Sequence, residues 1–133
     1  MYNGIYNKEQ FAYMYDTLVK WLTARVQGGS LGENLRVRGI GRVALYGING
    51  LGAQVYQDLA EAGMEVVCFI DKNAGRFGGE KDGLPVLNLL QLEQVPKDCC
   101  VLVTPEFYFQ EIMEELLKGG IPLERIISLS MVV

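Results

Sequence analysis

The residues best placed to do chemistry stand in the run Gly47-Ile48-Asn49-Gly50-Leu51-Gly52 and, 19 residues after its last glycine, at Asp71. In a G-x-G-x-x-G turn between strand and helix, the first glycine makes the tight turn. The second lets backbone approach a pyrophosphate, and the third lets helix and strand pack closely. Gly47 and Gly52 fit the first and third places, Asn49 stands in the second, and Gly50 follows it. The same residues also read as G-x-x-G-x-G, which still aims helix N-terminal amides at an anion. An acid at the end of the following strand, where Asp71 falls, accepts hydrogen bonds from ribose hydroxyls and disfavours a 2′-phosphate. Lys72 and Asn73 follow it, within reach of a base edge or a phosphate. Thr104 and Pro105 close a later apolar run whose end should face the same crevice, and Glu106 comes next. Each feature also has a plainer reading. The glycines let strand and helix pack, Asp71 is a turn residue, and Thr104 caps a helix.

Other chemistries are excluded by count. The chain has no histidine, which removes the Ser-His-Asp triad, the Cys-His dyad and every His-containing zinc site. Its three cysteines, Cys68, Cys99 and Cys100, sit in apolar runs without a C-x-x-C spacing, so they read as buried reduced thiols. No P-loop sequence is present, and no tyrosine is followed four residues later by lysine. Neither a catalytic residue nor a metal ligand is therefore assigned. A net charge of −4 gives no basic surface for nucleic acid. No apolar run approaches the ~18 residues of a membrane span.

Positioning such a turn needs strands and helices in alternation. The first segment predicts a helix capped by Asn7, with Phe11, Met14, Tyr15, Leu18, Trp21, Leu22 and Val26 in one apolar stripe that Gly28-Gly29 ends. Ser30 and Glu33 form a capping-box pair for a shorter helix carrying Leu31 and Leu35. From Gly41 onward, apolar runs read as strands: 42–46, 65–70, 84–87, 99–103 and 125–130. Pro85 suggests that the third lies at an edge. Helices are expected after Gly50, over 88–94, and after Thr104 with Pro105 at the first helical position. At 133 residues and half hydrophobic, this is one domain with a core. Residues 1–40 form a helical extension and 41–133 an α/β core. Buried strands separated by helices imply a three-layer fold with a five-stranded parallel sheet in the order 3-2-1-4-5.

The runs Val43 to Gly52 and Val67 to Asn73, with Gly83-Leu84-Pro85-Val86, Val103-Thr104-Pro105 and Ile126 to Leu129, resemble the small Rossmann-like domain of bacterial surface-polysaccharide proteins. Such domains occur in capsular polysaccharide and nucleotide-sugar enzymes, often fused to glycosyltransferase or methyltransferase modules. The front segment with Trp21-Leu22 and Ser30-Leu31 is similar as well. The resemblance to NAD-dependent dehydratases and epimerases implies that Gly47, Gly50 and Gly52 hold a pyrophosphate and Asp71 a ribose. The resemblance to sugar-nucleotide acyltransferases implies a UDP-sugar. There the turn carries a catalytic histidine, and Leu51 stands in its place here.

The expected function is a cytoplasmic nucleotide-binding module, for NAD(H) or a UDP-sugar, serving surface-polysaccharide synthesis without catalysis of its own. Its expected site is Gly47, Ile48, Asn49, Gly50, Leu51, Gly52, Asp71, Lys72, Asn73, Thr104 and Pro105. The alternative is an interaction or regulatory domain whose front helices form a homodimer or dock a glycosyltransferase or another partner. No nucleic acid partner and no membrane insertion are expected. Whether the front helices pack on their own chain or on a second one stays open at this point.

Overall fold

A computed structural model describes residues 8–48 and 50–133; the expected cap Asn7 and the turn residue Asn49 lie outside them. Two helices lead the chain, α1 (Lys8–Val26) and α2 (Leu31–Val37). The core then runs β1 (Arg42–Tyr46), α3 (Leu51–Glu61), β2 (Glu65–Ile70), β3 (Glu80–Lys81), β4 (Leu84–Leu87), β5 (Cys100–Val103), α4 (Phe109–Lys118) and β6 (Ile126–Ser128). No described helix is long and apolar enough to cross a membrane.

The fold is α/β, with a six-stranded sheet in the order β3-β4-β2-β1-β5-β6. β1 is central and pairs in parallel with β2 and β5, while β4 and β6 extend the sheet in parallel on either side. This corrects the expected sheet of five parallel strands in two respects. The sheet is mixed, and its order gains an outer member, because β3 pairs antiparallel with β4. The cause is local: Asp82 and Gly83 both take positive φ (52° and 79°), the backbone of a two-residue hairpin turn. Pro85 consequently does not lie on the outermost strand; it sits opposite Glu80 of β3.

Side chains alternate along each strand into two cores. Val43, Leu45, Phe69, Leu102 and Ile127 point to one face, where they meet Leu31 and Leu35 of α2 and Val55 and Leu59 of α3. Ala44, Tyr46, Cys68, Ile70, Val101 and Val103 point to the other, against Ile112 and Leu116 of α4. Coverage on both faces explains why the strand sequences are apolar throughout instead of alternating.

Three local expectations change. Residues 88–94 hold only a 3-10 turn, Leu92–Gln94, because Asn88 Oδ1 accepts the amide of Leu90 in a tight turn. Thr104 does not cap a helix. A 3-10 turn, Glu106–Tyr108, follows Pro105, and α4 begins only at Phe109. The last strand stops at Ser128 and continues as a 3-10 turn, Leu129–Met131, whose Ser130 amide donates to Glu106 Oε1.

The front helices pack on their own chain. Ser30 Oγ accepts the amide of Glu33, as its capping-box position predicts. Asp58 of α3, 3% exposed, accepts from Leu31 and Gly32 amides at 2.9 and 3.4 Å and from Trp21 Nε1 at 2.7 Å. Arg25 Nε stands 3.6 Å from the same carboxylate. One buried acid thus joins α1, α2 and α3.

Candidate functional site

The C-terminal ends of β1 and β5 meet at Gly47 and Thr104. The Thr104 hydroxyl and amide both donate to the Tyr46 carbonyl, at 2.8 and 3.2 Å, stitching the two strand ends together. Gly47 turns sharply with φ 99°, and a Cβ there would stand 2.5 Å from Thr104 Oγ1. Gly52 lies so close to the Gly47 carbonyl that a Cβ would overlap it. These two glycines therefore serve the tight turn and the close helix-strand approach expected of the first and third positions. Gly50 is different. It is the N-cap of α3 with φ 58° and ψ −117°, and the space around its missing Cβ is open.

Beside this turn lies a cleft of about 330 Å³. The structure brings Gly47, Ile48, Leu51, Gly52, Asp71, Thr104 and Pro105 together along it. It does not bring Gly50, Lys72 or Asn73 to its wall. Lys72 Nζ reaches back to Glu115 of α4 at 3.2 Å, and the Asn73 amide donates to Asp71 Oδ1 at 2.8 Å. Asp71 is thus a turn residue as well as a cleft residue. Thr104 spends its hydroxyl on Tyr46, so it shapes the cleft more than it offers a donor to it.

Met14, Glu106, Phe107 and Tyr108 complete the lining. Glu106 follows the expected Pro105 directly and Tyr108 stands three residues beyond it; Phe107 carried no signal of its own. Met14 comes from α1, whose Phe11 packs edge-on against Phe107 with ring centroids 6.3 Å apart. The only sequence clue to Met14 was its place on the apolar stripe of α1.

Burial dominates the ionisable groups at and behind the strand ends. Burial raises the Glu106 carboxyl above its ordinary value, while its bonds to Ser130 pull it back. Tyr46 is held well above the usual phenol range, first by burial and then by Glu115 and Asp71 nearby. Burial pushes the Cys68 thiol up to about 12, so it is no nucleophile at neutral pH. Among the described residues that line the cleft, none is lysine or arginine. Among the described residues no group of His, Cys, Asp or Glu could hold a metal ion.

Fold and site together define an α/β sheet protein with a glycine-turn cleft at the carboxyl ends of its central strands. A family described as C2185-like, N-terminal, matches residues 39–127. That is about two thirds of the chain and takes in the turn, Asp71 and Thr104; the chain belongs to this family. No curated protein matches the sequence.

Proposed function

We propose that the protein is a nucleotide-binding module of Rossmann type, for NAD(H) or a UDP-sugar, without catalysis of its own. The reading places it in the cytoplasm and in surface-polysaccharide or nucleotide-sugar synthesis, in line with the family resemblance of its motifs. One observation carries it. Leu51 and Gly52, the first residues of α3, line the cleft, and the N-cap Gly50 just before them brings no capping side chain. Phosphate oxygens would take the place of the cap, favoured by the positive end of the helix dipole. Asp71, at the end of β2, would accept a ribose hydroxyl with its second oxygen while the first holds the Asn73 amide. At about 330 Å³ the cleft is at the small end of ligand pockets, enough for phosphates and the adjoining ribose.

The test is thermal unfolding with NAD, NADH and UDP-sugars across a concentration series. A ligand that binds only the folded state raises stability by ~2.7 kcal/mol at a hundred times its Kd. The expected result is a concentration-dependent rise with at least one of them. That rise should be lost in Leu51→Glu, which puts a negative charge on the cleft wall where acids suit a helix start. It should weaken in Asp71→Ala. Asp71→Asn, which can still accept the Asn73 amide, controls for the turn. An unchanged melting temperature across the whole series would overturn the proposal.

A second reading, an interaction domain, has one specific observation behind it: the exposed apolar side of α1.

A further inference from the structure

α1 is one helix held in two ways. From Thr17 onward it is tied to the body of the fold. Thr17 is 3% exposed, Trp21 Nε1 donates to the buried Asp58, and Arg25 pairs with Glu61 at 2.6 Å. Before Thr17 no residue of the helix is buried among those described. There Phe11, Tyr13 and Met14 reach the rest of the molecule, and all three arrive at one place. Phe11 packs edge-on against Phe107, Met14 forms part of the cleft wall, and Tyr13 Oη shares a hydrogen bond with Ser130 Oγ. Ser130 in turn donates its amide to Glu106, a cleft residue next to Phe107. The front of α1 and the segment 105–108 thus brace each other around the cleft and not through the core. The joint between the two halves is marked as well. The Thr17 hydroxyl donates to the Tyr13 carbonyl at 3.1 Å, a bond within a helix that accompanies bending at that point.

We infer that residues 8–16 are a movable wall of the cleft, hinged at Thr17 and latched by Phe11 on Phe107 and by Tyr13 on Ser130, and that its opening admits the ligand. With the wall in place the cleft measures about 330 Å³, the small end of ligand pockets, and a larger molecule enters when the wall swings out. The latch is made of weak parts: an edge-on aromatic pair and an exposed hydrogen bond each shift an equilibrium by about two- to tenfold. Opening also strands no buried polar group. Glu106 keeps the Ser130 amide, and Ser130 Oγ keeps Ser128 Oγ at 3.0 Å. The open form is therefore a minor state within thermal reach, of the kind from which moving lids are drawn.

Hydrogen exchange on the full chain should show a step at Thr17. The first four amides of any helix lack partners, so the comparison begins at residue 12. Amides 12–16 should exchange at least about tenfold faster than amides 18–26. Phe11→Ala and Tyr13→Phe should each speed 12–16 by a further two- to tenfold or so and leave 18–26 unchanged. Both residues are more than half exposed, so the fold should persist. Tyr15→Ala, at a position 72% exposed, should speed neither stretch. Access to the cleft is read separately by Leu51→Cys in a Cys100→Ser background, where Cys68 and Cys99 are buried. Labelling of that thiol by a bulky maleimide dye should be slow and should quicken with either latch variant. Equal exchange along 12–26 would overturn the proposal. So would latch variants that act no differently from Tyr15→Ala, a rise that spreads to 18–26, or dye labelling indifferent to both variants. No readout uses a nucleotide, so a flat thermal series would leave the wall standing, and a fixed wall would leave nucleotide binding to the thermal series.

Discussion

The starts of α2 and α3 pose the same physical problem and solve it differently. Each presents backbone amides with no partner inside its own helix. At α2 the chain answers with its own side chains: Ser30 accepts the Glu33 amide, and Asp58 accepts those of Leu31 and Gly32. Asp58 is then sealed under Trp21 and Arg25. At α3 the N-cap is Gly50, which brings no side chain, and the first turn faces a cleft. An acid stands near both helix starts. Asp58 is wholly engaged by its own chain, while Asp71 is half-buried and binds one turn amide. The contrast separates a helix end tied into the fold by its own side chains from one whose first turn faces a cleft.

The contrast can be broken most forcefully at Asp58. Asp58→Ala strips a buried acceptor from two amides and an indole N–H, while Arg25 keeps Glu61, and should destabilise by about 3–5 kcal/mol. Urea unfolding checks this; a loss under ~1 kcal/mol would mean that the α2 end is held by something else. The open end breaks at Gly52. Gly52→Ala drives a methyl into the Gly47 carbonyl and should cost about 1–3 kcal/mol. It should also abolish any nucleotide-dependent rise in melting temperature, since α3 must shift; wild-type stability in this variant would mean that the close approach of α3 to β1 is dispensable. The smallest effect is a sharpening at Glu106. Its carboxyl is raised in the folded state, so the fold binds the proton more tightly than the unfolded chain does. Wild-type stability should therefore decline, relative to Glu106→Gln, as pH rises from the ordinary carboxylate value through the folded one. The variant keeps an acceptor for Ser130 and should lie within about 1 kcal/mol of wild type at neutral pH. Parallel pH profiles for the two proteins would count against a felt burial cost.

The α/β class and the glycine turn were legible because burial imposes composition. Residues 43–46, 66–70 and 101–103 are apolar throughout since both faces of the sheet are covered. What went unread was polar and long-range. β3 is Glu80-Lys81, without an apolar residue to mark it, and only the Asp82-Gly83 pair after it carries a hairpin signal. Asp58 looks like any polar residue on a helix, because its partners lie 26, 27 and 37 positions away. Thr104 before a proline suggests a cap, yet its hydroxyl turns back to Tyr46, 58 positions earlier. The stripe on α1 was visible, but periodicity does not say which half of a wide apolar arc meets the core. Lys72 was assigned by its neighbour Asp71, although successive residues point different ways; its ammonium goes to Glu115.

The hairpin that β3 forms with β4 also bears on how this chain behaves in a crowd. Bare strand edges recruit other strands, and the sequences beside them, Val86-Leu87 and Ile126-Ile127, are sticky enough to propagate such pairing. At one end the sheet finishes in two charged residues behind a strand carrying Pro85, and at the other in a three-residue strand that turns off at Leu129. Neither end offers a template long enough to zip onto. Growth from strand to strand into fibres is discouraged at both borders.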